Sequence, residues 1–319
     1  MLAVLQLKTQ GEKTKLSKKF DRGISTLLAA IGMIVLLIVG FAAGYYLAPQ
    51  SAMQEEEDSA WRNDSIDMAG STTVLPIANA SAVAFMNKYE GTIVTVAGGG
   101  SGVGYSQIID GTVDIGMASR PPKQKEIDEG TDLWLHPIAL DAVCVVVNPS
   151  VASSLNLTLQ QVAEIFAGEY DKWNDVQPGL PEQPIYIVVR EPGSGTRGTF
   201  EEYTTDEYDK TVTADAHQKP SNPAVKQAIE DTSYSIGYIG FGFISEEMTV
   251  ATLEDTYPTI ESIASGDYPI SRYLYLVTSS QIASGSLVDR FIDFILSTEG
   301  QQIAVNQGFL ELPVTYNYP

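Results

Sequence analysis

The sequence predicts an α/β protein of two lobes joined by two crossing strands, a clam-shell that closes on its ligand by hinge motion, preceded by one amino-terminal transmembrane helix. Three observations carry that reading. From Ile66 onward, short β-branched runs alternate with helical runs, as in sheets whose strands are linked by crossover helices. Two longer segments, Ile138–Pro149 and Tyr268–Val277, depart from this rhythm and read as strands crossing between lobes. Ahead of both lies Ile24–Leu47, a run of 24 residues without a charge.

The amino-terminal elements come first. Residues 1–23 are polar and basic, and 24–47 is long enough to span a bilayer as a helix. Basic flanks stay in the cytoplasm, so the remainder is expected outside the cell membrane on a single-pass anchor. Tyr45 and Tyr46 fall where an interfacial aromatic belt would lie. No Ala-x-Ala cleavage site follows, and no cysteine stands ready for a lipid, which favours an uncleaved anchor. The junction Lys18-Lys19-Phe20-Asp21-Arg22-Gly23-Ile24-Ser25 resembles that of archaeal pilin-type signal segments, leaving a pilin-like surface or filament subunit as an alternative. Residues 48–64, with Gln54-Glu55-Glu56-Glu57-Asp58-Ser59, read as an acidic tether.

Charge then limits the function classes. The 319 residues carry a formal net charge of −21. Beyond residue 23 there are 13 basic against 38 acidic residues, so the body should repel nucleic acid. The single cysteine, Cys144, lies within Val143-Cys144-Val145-Val146-Val147 and reads as a small core hydrophobe. A disulfide within the chain is therefore impossible. His136 and His217 are lone histidines without metal-ligand spacing, and no paired-carboxylate or EF-hand pattern appears. No catalytic residue, metal or cofactor is expected, which sets aside an enzyme such as a secreted phosphatase.

Lobe 1 is expected to comprise residues 65–140 and 275–319, and lobe 2 residues 141–274. Ala69-Gly70-Ser71-Thr72-Thr73-Val74 is a glycine–hydroxyl turn before a helix over Leu75–Tyr89, with Pro76 suited to its first turn. Strand Thr92–Val96 leads into Gly98-Gly99-Gly100-Ser101-Gly102-Val103-Gly104, which misses the dinucleotide spacing Gly-x-Gly-x-x-Gly in every register. A helix continues over Tyr105–Ile109, and strand Val113–Met117 ends in Ala118-Ser119-Arg120-Pro121. Past the first crossover come a helix over Leu157–Phe166 capped by Thr158 and a loop holding Trp173-Asn174-Asp175. Leu287–Leu296 and Glu299–Asn306 read as terminal helices.

The most telling stretch is Arg190-Glu191-Pro192-Gly193-Ser194-Gly195-Thr196-Arg197, between strand Ile185–Val189 and a helix opening near Thr199. Glycines let the backbone approach a ligand, the first helical N–H groups are unpaired, and Ser194 and Thr196 add hydroxyls. Arg190 and Arg197 bracket the turn with guanidinium forks suited to a tetrahedral oxyanion. It is not a nucleotide P-loop, because no Gly-Lys-Ser/Thr closes it. An ordinary βα loop would also use such glycines. Three strand-to-helix junctions of this kind, and a fourth strand end offering Ser119-Arg120, converge where open α/β sheets bind ligands.

These motifs, in this order from Ile66 to Pro313, resemble the phosphate-binding proteins of ABC importers, solute receptors with the periplasmic-binding-protein type II fold. The resemblance implies a receptor for inorganic phosphate that serves ABC permease subunits. By position it assigns Thr72, Thr73, Ser101, Ser119, Arg190, Ser194, Gly195 and Thr196 to the anion, with Arg190 as main positive charge. Another tetrahedral oxyanion, sulfate or molybdate, is the same-class alternative. Arg120 joins the ligand set at a place where one branch of the family carries an aspartate that accepts the phosphate proton. That role then falls to Asp141 or Glu191, between which the sequence does not choose.

Overall fold

The structure, a computed structural model, describes residues 64–129, 132–279 and 282–313. The basic segment, the apolar run 24–47, the pilin-like junction and the tether up to residue 63 lie outside them. Among the described residues no helix is long and apolar enough to cross a membrane.

The first strands and helices alternate as β1 (Ser65–Gly70), α1 (Leu75–Lys88), β2 (Ile93–Gly98), α2 (Ser101–Ile109) and β3 (Ile115–Ala118). Helix α3 (Gln124–Asp128) leads to β4 (Trp134–Val147), the long apolar strand. Next come β5 (Asn156–Leu157), α4 (Leu159–Ala167), α5 (Trp173–Val176), β6 (Tyr186–Arg190) and α6 (Gly195–Tyr203). Between residues 204 and 267 the chain forms β7 (His217–Lys219), α7 (Asn222–Asp231), β8 (Ser235–Gly240), β9 (Thr249–Val250), β10 (Thr252–Leu253) and α8 (Ile260–Ser265). Strand β11 (Ser271–Thr278) and helices α9 (Leu287–Leu296) and α10 (Thr298–Asn306) complete it.

Among the described residues nine strands make one sheet in the order β2-β1-β3-β11-β4-β8-β6-β7, with β9 also on β4. β1, β2 and β3 are mutually parallel, as are β6, β7 and β8. The two parallel sets are joined through antiparallel pairs involving β11 and β4. β4 pairs with β11 as far as Ala142 and with β8 from Val143 on. That change of partner places Asp141 at the junction of the two halves. The ends of β1, β2, β3, β6 and β8 all carry short connections there, which is where an open sheet offers a ligand crevice.

Local sequence explains the helix ends. Thr158 caps α4: its hydroxyl accepts from the Gln161 N–H at 3.1 Å, while the Gln161 side chain accepts from the Thr158 N–H at 3.0 Å. Gly168 ends that helix at a φ of 78°, a left-handed conformation glycine adopts without a Cβ penalty. The triplet Trp173-Asn174-Asp175, expected as loop, is the start of the one-turn α5, with Trp173 fully buried and its indole N–H donating to the Tyr234 carbonyl at 2.9 Å. Helices α2 and α6 both start earlier than expected, at Ser101 and Gly195. Their glycine–serine turns are thus the first helical turns themselves.

Each half has its own apolar centre. Phe85 of α1 packs edge-on against Phe291 and Phe294 of α9. In the other half Phe200 of α6 stacks on Tyr238 of β8 with ring centroids 4.0 Å apart, and Phe166 of α4 meets Phe200 at 4.6 Å. This stack fixes α6, and so the turn before it, against the sheet. Cys144 is buried within the same core, where burial pushes its thiol up. His136 is also buried; burial holds its imidazole down at about 4, so the ring is neutral near pH 7.

Candidate functional site

The site forms where the connections after β1, β2, β3 and β6 meet. After β1, the Gly70 φ of 138° and a carbonyl in contact at Met117 exclude any side chain at that position. The turn closes as the Ser71 hydroxyl accepts from the N–H groups of Thr73 and Val74. Thr72 and Thr73 are thereby presented at the mouth of α1, both buried. After β2, Gly100 adopts a φ of 90° and donates its N–H to the Gly70 carbonyl at 2.9 Å, drawing the first two connections together. Ser101 then opens α2, fully buried, and its hydroxyl accepts from the Ser119 N–H at 3.0 Å.

The connection after β6 is brought against these from the other half. Ser194 caps α6 by accepting from the Arg197 N–H at 3.2 Å. Gly195 and Thr196 occupy the first turn, whose N–H groups have no intrahelical acceptor. A Cβ at Gly195 would collide with the hydroxyls of Ser101 and Ser119. The Gly102 N–H donates to the Gly193 carbonyl at 2.9 Å, and the Thr73 and Thr196 hydroxyls are 2.9 Å apart. Thr73, Ser101, Ser119, Gly195 and Thr196 are therefore one cluster.

Arg190 lies at the end of β6 with 1% of its surface exposed. Its Nε and Nη2 donate to the two carboxylate oxygens of Glu191 at 2.9 and 2.8 Å, which sets the plane of the fork. Nη1 is buried without a protein partner, as is the Thr72 hydroxyl. Arg197 turns away: its Nε donates to Glu201 at 2.6 Å and its Nη1 to the Arg190 carbonyl at 2.9 Å.

The remaining expected residues take different places. Arg120 makes a two-point pair with Glu126 at 2.7 Å and lies over the Tyr105 ring, so two of its nitrogens are committed outside the cluster. Glu191 is the partner of Arg190. Asp141, fully buried, accepts from the Phe241 N–H at 3.0 Å through Oδ1 and from Arg272 Nε and Nη2 at 2.9 and 2.8 Å through Oδ2. Burial raises the Asp141 carboxyl from its ordinary value while the Arg272 guanidinium opposes the rise. Burial likewise lowers Arg272, opposed by Asp141 and reinforced by the nearby Arg190 charge.

Arg272 and Asn222 are members of the cluster that the sequence motifs did not reveal. Arg272 Nη2 donates to the Thr196 hydroxyl at 3.2 Å and the Thr73 hydroxyl at 3.4 Å, and its Nη1 is buried without a partner. Asn222, fully buried at the start of α7, donates to the Thr73 hydroxyl at 2.8 Å. A signal for Arg272 did exist. It is a lone charge in an apolar return strand, and Asp141 is the lone charge in the strand paired with it, in direct register.

Three buried, partnerless donors beside clustered hydroxyls and two helix amino termini make an anion-binding α/β protein with its ligand crevice between sheet halves. Residues 55–299 match the PBP superfamily domain, and the chain belongs to that superfamily. It is 30% identical to the phosphate-binding protein PstS of Bacillus subtilis over 93% of this chain and 95% of that protein. With the PstS of Borreliella burgdorferi the identity is 32%, over 77% and 89% of the two chains. Among solved structures it is similar to a Clostridium perfringens protein assigned as a phosphate ABC transporter substrate-binding protein, with bound phosphate, at a TM-score of 0.71 and 29% identity. That likeness covers 78% of this chain and all of the other. The ABC-type phosphate transport receptor from Vibrio cholerae gives a TM-score of 0.65, 29% identity and the same coverage. The family expected from the motifs is the one these comparisons return.

Proposed function

We propose that the chain is an extracytoplasmic receptor that captures inorganic phosphate and presents it to ABC permease subunits. Residues 24–47 are its membrane anchor, and 48–64 hold the binding body clear of the bilayer. The body works as two lobes, 65–140 with 275–319 and 141–274, closing about β4 and β11. Its action is binding alone, with no bond made or broken.

The observation that carries the reading is that Arg190 Nη1, Arg272 Nη1, Arg120 Nε and the Thr72 hydroxyl, all on residues of the cluster or the connections that form it, are buried without protein partners. A buried donor left unpaired costs about 1–3 kcal/mol, more for a charged group. A tetrahedral oxyanion supplies acceptors in several directions at once. The helix amino termini at Ser101 and Gly195 add backbone N–H groups, so charge and hydrogen bonding favour the same ligand.

The test is calorimetry of the body from residue 60 with phosphate, sulfate and molybdate. Phosphate should bind most tightly. Arg190→Ala should weaken it by about 2–5 kcal/mol, the usual loss when one partner of a buried charge pair is removed. Equal binding of sulfate and phosphate would overturn the ligand assignment, and wild-type affinity in the folded variant would overturn the role of Arg190.

A further inference from the structure

A cavity of about 430 Å³ lies apart from the clustered hydroxyls, within the range of small-molecule sites, about 300–1,000 Å³. Its floor is the reverse side of the two strands that carry Asp141 and Arg272. Side chains alternate along a strand. Where Asp141 and Arg272 pair on one face, Leu140 and Tyr273, themselves in register, line the cavity on the other. Glu202 and Tyr203 of α6 and the end of α8 form one wall, and Pro121 and Tyr275 reach it from the first half. In the two-lobe division proposed above, the lining therefore comes from both lobes. The halves are together here, since the Gly102 N–H donates to the Gly193 carbonyl at 2.9 Å. The shape of the cavity is that of the closed arrangement.

The lining selects a ligand by charge. Three tyrosines contribute aromatic surface, Tyr203, Tyr273 and Tyr275, the last two with ring centroids 6.4 Å apart and inclined by 60° rather than stacked flat. The Glu202 carboxylate stands exposed beside them. Arg272 is the one basic residue among the described lining residues, and its Nε and Nη2 are turned to Asp141, which balances its charge. Aromatic faces are negative and attract a cation, the more so out of water, and the net charge of −21 adds to the attraction. A bare metal ion is not served, because the described residues hold no group of three His, Cys, Asp or Glu side chains able to ligate one. We propose that this cavity binds an organic ammonium ion, its cationic head against the tyrosines and Glu202 and its apolar body over Leu140, and that binding there favours closure on phosphate. A ligand that fits the cavity as closure shapes it binds the closed form better, so it raises phosphate affinity, and phosphate raises its own by the same factor.

The coupling rests on the phosphate reading and the ammonium site does not, so one experiment keeps them apart. The probe is benzyltrimethylammonium, titrated calorimetrically into the protein without phosphate and then with it; benzyl alcohol and benzoate are the neutral and anionic comparisons. The ammonium should bind best and benzoate least. Tyr203→Leu should weaken the ammonium roughly three- to thirtyfold, the worth of one cation–π contact, and Glu202→Gln about threefold, as for an exposed ion pair. Both side chains are exposed and neither touches the anion cluster, so each variant should fold and bind phosphate alone as wild type does. With the ammonium at saturation, the phosphate affinity of the wild-type protein should rise about fivefold or more. No saturable ammonium binding below about 10 mM would overturn the site. Equal or stronger binding of benzyl alcohol or benzoate, or full ammonium affinity in both variants, would overturn the cation assignment. Ammonium binding that leaves phosphate affinity unchanged or lowers it would overturn the coupling alone. No phosphate binding by the wild-type protein would overturn the phosphate reading and the coupling with it, while the ammonium titration would still decide the site.

Discussion

Gly195→Ala should separate ligand capture from folding. Gly195 stands at the first position of α6 with ordinary helical geometry, so its backbone does not require glycine. What requires it is the approach of the other half: an added methyl would overlap the buried hydroxyls of Ser101 and Ser119. Neither can swing aside freely, because the Ser101 hydroxyl is held by the Ser119 N–H at 3.0 Å and both side chains are fully buried. The variant would therefore keep the halves apart by the better part of an ångström. At least two donors to the anion would be lost or stretched, one from each half. At about 1.5–3 kcal/mol for each bond to a charged acceptor, the loss is about 3–6 kcal/mol, or roughly two to four orders of magnitude in affinity. The open form should be no less stable, since alanine in place of a helical glycine contributes about 0.4–1 kcal/mol through the unfolded chain. Calorimetry with phosphate and melting curves with and without ligand read both effects. The expected pattern is an unchanged or higher unliganded melting temperature with almost no shift on adding phosphate. Wild-type affinity in the alanine variant would refute the claim that closure brings Gly195 against these serines.

Arg197→Ala should change phosphate affinity less than threefold, because its guanidinium is spent on Glu201 and the Arg190 carbonyl; a loss equal to that of Arg190→Ala in the same titration would place it on the anion. His136 is neutral in the fold with its imidazole held down at about 4, whereas the unfolded chain titrates at its ordinary value. Stability should thus be intact above about pH 6.5 and fall by up to about 3 kcal/mol between there and pH 4, a loss that denaturant melts should find reduced in His136→Gln. Thr158→Ala removes the cap of α4 and should cost about 1 kcal/mol in the same melts, with phosphate affinity unchanged, since the Thr158 hydroxyl and N–H bond only to Gln161 of its own helix.

The cradles were legible because their chemistry is local. Glycine, serine and threonine between a β-branched run and a helical run announce both a tight turn and a helix start, and Ser71, Ser101 and Ser194 stand in such turns. What the pattern could not give was the helix origin. Gly195 has no propensity to begin a helix, and α6 starts there because Ser194 caps it and the Phe200–Tyr238 stack holds its far end. The stretch from 204 to 267 was opaque for a related reason. Its strands β7, β9 and β10 are two or three residues long and exist through pairing with distant partners, not through periodicity. Asn222 was lost with it, its Ser221-Asn222-Pro223 context announcing only a helix start. Arg120 and Arg190 look alike in sequence, each ending a buried strand. Glu126, in the first turn of α3, takes both terminal nitrogens of the first, while Glu191 takes Nε and Nη2 of the second, so Arg120 keeps a buried unpartnered Nε and Arg190 a buried unpartnered Nη1.

The Asp141–Arg272 pair poses an energetic question that its place in the sheet answers. A fully buried ion pair is weak evidence for stability, because desolvating two charges can outweigh their attraction, and an apolar pair of similar volume often does as well. Here the opposition is visible, since burial alone pushes the acid up and the base down. Apolar residues at 141 and 272 would fit the strands around them, which are otherwise almost wholly apolar and aromatic at buried positions. They could not, however, aim a donor between Thr73 of one half and Thr196 of the other. The pair sits where β4 exchanges β11 for β8, at the junction of the two sheet halves, and from there the guanidinium reaches a hydroxyl of each. In the proposed closure a charge at that junction would stay beside the anion while the hydroxyls and helix termini of the two halves come together. Arg272→Gln/Asp141→Asn should then cost little in stability and much in phosphate affinity, and a double variant that is strongly destabilised yet binds as wild type would reverse that account.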